Sequence, residues 1–242
     1  MTSLPVTSSN KNIKVIELRN YVMKDGMRNR FADFFNEHFI GSQAELGGYV
    51  LGQYKPKGEE ENFLWIRGFE DMPARSKFLP AFYSGPVWKQ YREEANAMLA
   101  NNDNVHLLKP LLLKDATIDT TTGINSNTFH YGSGIMVIEY YIANHKLDKL
   151  IDLFASKYLS ILKNAGNETL TLWISELTEN DFPRLPVFQD RNLLVTISFY
   201  KDEACFISQK KKADASISTE LKTEMQDIIT TKNTLILYPV HQ

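Results

Sequence analysis

A hairpin in the first third of the chain decides the fold, because residues 49–69 read YVLGQYKPKGEEENFLWIRGF. Two runs rich in bulky residues, 49–54 and 63–69, flank a polar turn that contains Pro56 and Gly58. Such runs, separated by a short turn, predict two antiparallel strands. The segments on either side then determine to which fold the hairpin belongs.

Those flanking segments complete a β-α-β-β-α-β unit. Upstream, residues 13–22 alternate as a strand, and residues 27–42 place apolar side chains at helical spacing. Downstream, Asp71 is a suitable N-cap for a broken helical region that runs to residue 99, and residues 105–113 form a last strand. This order is the ferredoxin-like arrangement, in which both helices cover one face of a four-stranded antiparallel sheet.

The same order of elements recurs in the second half of the chain. Residues Ile138-Glu139 repeat Ile16-Glu17, and the strands and helices follow one another as in the first half. Residues 114–132, rich in Thr, Asn and Ser, have the composition of a linker. We therefore expect four parts along the chain: a flexible tail, 1–12; a ferredoxin-like domain, 13–113; a linker, 114–132; and a second ferredoxin-like domain, 133–242.

Each such unit leaves one apolar sheet face open to water. Two units in one chain can bury these faces against each other, or they can pair with those of a second chain. The fold class predicted is therefore α+β, with two tandem ferredoxin-like units forming an α/β barrel. Because a four-stranded sheet also has free edge strands, a homodimer is a further expectation.

Composition excludes several classes of function. The 242 residues are 43% hydrophobic and carry 27 Lys+Arg against 29 Asp+Glu, so no basic excess favours nucleic acid. No apolar stretch is long enough for a membrane span, and no secretory signal is present. Cys205 is the only cysteine, which favours a reducing compartment, and we expect a cytoplasmic protein. The five histidines lack metal-ligand spacing, so neither a metal nor a cofactor is predicted.

Three stretches of the first half, FLWIRGFEDM (63–72), FYSGPVW (82–88) and DNVHLLKP (103–110), resemble the NIPSNAP family of the dimeric α/β-barrel superfamily. The opening strand, IELRNY (16–21), resembles that family's first strand. The resemblance covers about residues 13–113 and implies the barrel fold, but it carries over no catalytic residues. The superfamily includes cofactor-free monooxygenases, small isomerases and haem-binding enzymes. One departure is Trp65, at a position where many family members have a histidine.

Strand alternation supplies the candidate site residues. If Ile16 and Leu18 face the helices, their neighbours point into the barrel, and the same rule applies to the hairpin and the second half. The catalytic candidates are then two general bases, Glu17 and Glu139. The binding candidates are Arg19, Tyr21, Trp65, Arg67, Tyr83, Trp88 and Tyr141. The alternative interpretation is a structural network of paired buried charges. Arg75 and Arg92 are expected on solvated helix faces.

Two functions remain open at this point. In the first, the barrel binds a small hydrophobic or anionic metabolite, and one form of this hypothesis is a cofactor-independent monooxygenase or isomerase. In the second, it is a non-catalytic interaction or structural module whose barrel is filled by its own side chains. A cavity of about 300 Å³ or more would favour the first hypothesis.

Overall fold

The computed structural model describes residues 12–113 and 134–240. Its first half contains strands β1 Val15–Met23, β2 Tyr49–Pro56, β3 Asn62–Phe69, β4 Leu99–Asn101 and β5 Val105–Pro110. Its helices are α1 Arg28–His38, α2 Ile40–Glu45, α3 Met72–Ser84 and α4 Pro86–Met98. The predicted linker, 114–132, and almost all of the predicted tail lie outside the described residues.

The second half repeats this pattern. Its strands are β6 Ile135–Ala143, β7 Thr171–Ser175, β8 Leu193–Tyr200 and β9 Ile229–Pro239. Its helices are α5 Leu147–Leu153, α6 Leu159–Asn164, α7 Glu203–Ser216 and α8 Thr219–Ile228, and a π-helical turn, Phe154–Tyr158, joins α5 to α6. The helical region between β8 and β9 is divided into two helices, because Ile217 is extended and Ser218 caps a new helix.

Side-chain caps fix where the first long helix of each half's second helical region, α3 or α7, begins. The Asp71 carboxylate accepts a hydrogen bond from the backbone N–H of Ala74 at 2.8 Å, and Pro73 occupies the first turn of α3. Asp202 caps α7 in the same way through the N–H of Cys205, at 2.7 Å. Short polar residues thus fix the N-terminal ends of α3 and α7.

The two halves close into one barrel. Each has the ferredoxin-like strand order, β5-β1-β3-β2 in the first half and β9-β6-β8-β7 in the second, and all these pairs are antiparallel. Pairing of β2 with β9 and of β5 with β7 joins the halves into a closed eight-stranded barrel. The short strand β4 pairs with the end of β1 and is not counted among the eight. The predicted fold class is confirmed. Because the open faces and these edges are used within one chain, the argument that favoured a homodimer no longer applies.

Apolar side chains from both halves, most of them aliphatic, fill the barrel interior. They include Ile16, Leu18, Leu64, Ile66, Ile138, Val195, Ile197 and Trp173. The predicted orientation of the strands is therefore reversed, because Ile16 and Leu18 face the barrel and the intervening charged residues face the helices. Alternation along a strand sorts the side chains into two sets, but it does not specify which set faces the barrel interior and which faces the helices. Two sheets packed face to face require the wholly apolar set between them.

Within residues 12–113 and 134–240, no helix combines the length and the apolar character needed to cross a lipid bilayer.

Candidate functional site

On the helix-covered face of the first-half sheet, one carboxylate meets three guanidiniums. Glu17 accepts hydrogen bonds from Arg19 Nη1 at 2.8 Å, from Arg67 Nε at 2.8 Å and Nη2 at 2.5 Å, and from Arg75 Nε at 2.8 Å. The β1–β3 register places Glu17 directly opposite Arg67, and α3 supplies Arg75. All four residues have 0% exposed surface. The cluster therefore holds an excess of two positive charges away from water.

The arginines also determine the charge state of the carboxyl group. Burial alone would raise the pKa of Glu17, but the guanidiniums of Arg67, Arg19 and Arg75 outweigh burial and hold that pKa well below its usual range. Glu17 is therefore an ionised counter-ion throughout the physiological pH range. This state suits an organising anion better than a general base, which needs a pKa near the working pH.

Other arginine N–H groups donate to neutral acceptors, one of which belongs to the second half of the chain. Arg19 Nε donates to the Tyr21 hydroxyl at 2.8 Å, and Arg67 Nη1 donates to Gln43 Oε1 at 3.0 Å. Arg75 Nη1 donates to Asn180 Oδ1 at 3.1 Å, whereas Arg75 Nη2 has no acceptor among the described residues. The nearest further anion is Asp181, 3.9 Å from Arg75 and about half exposed. The positive excess is thus only partly offset within the described protein.

A cavity of about 300 Å³ lies beside this cluster, between the sheet and helices α1 to α4. Its inner end is polar, formed by Arg67, Gln43 and Tyr21, and exposed side chains such as Arg92 and Arg184 form its rim. Its walls are mostly aromatic, formed by Phe31, Phe35, Phe39, Trp65, Phe82, Tyr83, Trp88 and Phe182. The space therefore combines apolar walls with a positively charged inner end.

The aromatic walls are fixed by ring contacts. The Trp65 ring lies 4.7 Å from Phe35 and 5.9 Å from Tyr21 between centroids, and the Arg67 guanidinium lies 5.3 Å from the Trp65 ring. Tyr83 packs edge-on against Trp88 at 4.9 Å. The Trp65 indole N–H, which is buried, has no acceptor among the described residues. It is a further donor on a residue that lines the cavity.

The lining restricts the chemistry available in the cavity. Among the described residues that line it there is no carboxylate, imidazole, thiol or lysine. Burial raises the pKa of the Tyr21 hydroxyl above its usual value, so this group is a neutral hydrogen-bond donor. Across residues 12–113 and 134–240, no group of His, Cys, Asp and Glu side chains could hold a metal ion. The arrangement is suited to holding a ligand that accepts hydrogen bonds.

Comparison with known families identifies the part of the chain that carries this cavity. Residues 16–111 match the sequence model of the NIPSNAP family. The chain carries a NIPSNAP domain. The predicted resemblance is thereby confirmed over these residues, and they include all the cavity-lining residues except the three from the connection between β7 and β8.

Nearly the whole chain, the NIPSNAP domain included, resembles solved structures of the same fold and of about the same length. A candidate monooxygenase from Lactobacillus acidophilus matches with a TM-score of 0.59 and 12% identity, covering 94% of both chains. A candidate monooxygenase from Fusobacterium nucleatum matches with a TM-score of 0.58 and 13% identity, over 94% of this chain and 93% of that one. An anthrone oxidase-like protein matches with a TM-score of 0.58 and 9% identity, over 94% and 92%. These identities establish a shared fold alone. No curated protein sequence matches the chain.

The second half does not share the NIPSNAP domain's cavity. Glu139 accepts a hydrogen bond from the Tyr141 hydroxyl at 2.8 Å and pairs with Lys232 at 2.9 Å. The space beside it measures about 20 Å³. The structure thus gathers seven predicted site residues in or beside the NIPSNAP cavity, and it places Glu139 and Tyr141 elsewhere. The seven are Glu17, Arg19, Tyr21, Trp65, Arg67, Tyr83 and Trp88.

Sequence reasoning missed several contributors to the NIPSNAP site. The expectation of a solvated Arg75 is wrong, because this side chain is fully buried against Glu17. Its burial could have been predicted from its spacing to Phe78, Leu79 and Phe82 on α3, since positions three, four and seven residues apart share one helix face. Gln43 carried no comparable signal. Nothing local in the sequence connects Asn180 to Arg75, which lies 105 positions away.

Proposed function

We propose that the NIPSNAP domain binds a small apolar molecule with an anionic group, and that an aromatic acid fits its cavity best. The observation that carries the proposal is the positive charge that the described residues leave only partly offset in the Glu17 cluster, at the inner end of an aromatic cavity of about 300 Å³. Buried charges are costly unless they are paired, so an anion at this end would stabilise the cluster as well as itself.

Arg67 is the partner we assign to the ligand's anionic group. A guanidinium has five N–H bonds, and those of Arg67 to Glu17 and Gln43 use three of them. One N–H on Nη1 and one on Nη2 remain for a carboxylate. The Tyr21 hydroxyl accepts its bond from Arg19, so its own proton is available for the same ligand. Together these groups supply directed donors at the polar end.

The cavity walls favour an aromatic body over a flexible aliphatic one. Aromatic rings pack edge-to-face or offset at centroid distances of about 4.5–7 Å, the range in which these walls contact one another. The barrel interior itself is filled with side chains, as the interaction-module hypothesis expects. The open space of ligand size lies instead between sheet and helices, and this favours the binding hypothesis.

A monooxygenase or isomerase reaction would require more than this site offers. Removal of a proton from a bound ligand needs a base, and the described lining contains no carboxylate or imidazole. Glu17 is buried in its arginine cluster and held ionised, so we assign it no proton transfer. We therefore propose binding, without turnover, as the function of the cavity.

Calorimetric titration with a matched ligand pair tests the proposal. We expect 2-naphthoate to bind at least about tenfold more tightly than 2-naphthalenemethanol, because only the acid meets the excess charge. Arg67→Met should remove this preference while leaving the alcohol's affinity within about threefold. Arg30→Met, which removes an arginine whose side chain is 64% exposed on α1, serves as the control and should change neither affinity.

Two results would contradict the proposal. Equal affinities of the acid and the alcohol for the unmodified protein would show that the cavity does not select anions. Retention of the acid preference in a folded Arg67→Met protein would place the anion elsewhere, and thermal melting of each variant checks that it is folded.

A further inference from the structure

The connection between β7 and β8 is much longer than its counterpart in the first half. It runs from residue 176 to residue 192, whereas the turn between β2 and β3 runs only from 57 to 61. Long connections without helix or strand are uncommon in compact domains and usually carry a function. We call residues 176–192 the covering segment.

The covering segment belongs to the second half but lies over the cavity of the first. Three of its residues, Phe182, Arg184 and Leu185, line the NIPSNAP cavity. The Phe182 ring stacks on Tyr83 with a centroid distance of 5.7 Å and an interplanar angle of 25°. Since Tyr83 packs in turn on Trp88, Phe182 extends the aromatic wall towards the exposed rim.

Hydrogen bonds hold the covering segment on both sides of Phe182. Asn180 accepts from the buried Arg75 at 3.1 Å and donates to the Leu185 carbonyl at 2.9 Å, so one side chain fixes both the position and the turn of the segment. Asp181 accepts from the Ser76 hydroxyl. Further along, the Phe188 N–H donates to the Val105 carbonyl at 2.7 Å. The segment is therefore anchored to α3 and β5 and positions Phe182 firmly.

We infer that the covering segment determines which ligands the NIPSNAP cavity accepts, and that Phe182 limits their size. This inference rests on the proposed binding function. The ring of Phe182 is the aromatic part of the wall that comes from outside the NIPSNAP domain, so a change there alters the space without touching the Glu17 cluster. Arg184 adds a positive charge at the rim, where a larger acid would extend.

The experiment compares two aromatic acids of different size, 2-naphthoate and pyrene-1-carboxylate, by calorimetric titration. We expect the unmodified protein to prefer the smaller acid. Phe182→Ala should reduce this preference at least about tenfold, and Phe182→Trp should increase it. The matched control is Phe188→Ala, which removes the same side chain from the same segment at a position that is 51% exposed and outside the lining, and should leave the ratio unchanged.

A second readout needs no ligand. Trp65 and Trp88 line the cavity, whereas Trp173 is fully buried in the barrel interior. We expect Phe182→Ala, but not Phe188→Ala, to increase acrylamide quenching of tryptophan fluorescence. Unchanged quenching in Phe182→Ala would overturn the inference, because the segment would then not cover the cavity.

The outcomes separate this inference from the proposed function. If the unmodified protein binds 2-naphthoate and Phe182→Ala keeps the original size preference, the inference is wrong while the binding function stands. If the unmodified protein binds neither acid, the proposed function is wrong and this inference falls with it.

Discussion

Both halves of the barrel place a glutamate on their first strand with the same orientation, but the two carboxylates have different surroundings. Glu17 lies opposite Arg67 in the strand register and contacts three buried arginines. Glu139 lies opposite Thr196 and contacts Lys232, whose side chain is 33% exposed. The cavities beside them measure about 300 and about 20 Å³. The same arrangement of strands thus carries different side chains, and a cavity of different volume, between the sheet and the helices of each half.

The difference shows that side chains, rather than strand order, create the cavity. In the second half, Tyr158 from the π-helical turn and Tyr200 from β8 border the residual space, and Tyr141 packs on Phe154 at 5.1 Å. In the first half the corresponding layer holds guanidiniums that must stay near Glu17. Bulky neutral side chains can fill the space between sheet and helices. A buried cluster with excess positive charge is instead stabilised by an anion.

The largest expected effect comes from neutralising each glutamate in turn. Glu17→Gln removes the counter-ion that three buried arginines share and should lower the free energy of unfolding by about 3–5 kcal/mol. Glu139→Gln leaves a lysine that water can reach, so its cost should stay below about 1 kcal/mol. Urea unfolding of both variants measures the difference. Similar losses in the two variants would mean that the two carboxylates are equivalent in energy, contrary to their surroundings.

Acid unfolding sharpens the same comparison. Because the pKa of Glu17 is lower in the folded protein than its ordinary value of 4.5, the unfolded chain takes up the proton first as the pH falls. The stabilisation from Glu17 is therefore complete above pH 4.5 and is lost below it, by up to about 1.4 kcal/mol per pH unit. Glu17→Gln lacks this contribution, so its stability should fall less steeply between about pH 4.5 and 3.5. Parallel curves for the two proteins would show that folding does not lower this pKa.

A smaller effect is expected from enlarging one alanine in each half. Ala95 and Ala213 are each 2% exposed, and they line the large and the small cavity respectively. Ala213→Leu should overpack its layer and cost about 1–3 kcal/mol, whereas Ala95→Leu has open space and should cost less than about 1 kcal/mol. Ala95→Leu should also weaken 2-naphthoate binding, because the added side chain occupies the cavity. An equal loss of stability in both variants would contradict the difference in cavity volume.

Local patterns were sufficient to predict the barrel. The hairpin of residues 49–69, the caps such as Asp71 and the recurrence of the element order each specify short-range structure, and the surplus of apolar strand faces leads from two sheets to one barrel. These signals depend on residues that are close in the sequence, so they can be recognised in a single sequence.

The orientation of the site could not be predicted in the same way. Alternation along β1 separates Glu17 and Arg19 from Ile16 and Leu18, but it is symmetric with respect to the two layers. The two layers differ in whether they offer hydrogen-bond partners to the buried charges. The helix layer provides residues such as Arg75, which donates to the Glu17 carboxylate, whereas the second sheet provides mainly aliphatic side chains. The contacts of the covering segment were still harder to predict. They join positions about a hundred residues apart, and no local rule connects such positions.

Closure of the barrel has a consequence for how the chain is made. Strand β2 finds its outer partner only in β9, with Tyr54 opposite Pro239, so a ribosome must deliver the last described strand before the first sheet loses its free edge. Until then a nascent NIPSNAP domain presents an unpaired strand and an uncovered apolar face, the features that promote association between incomplete chains. Such distant pairing also slows folding. A chain shortened before Ile229 lacks β9, so β2 keeps its free edge and the tendency to associate persists.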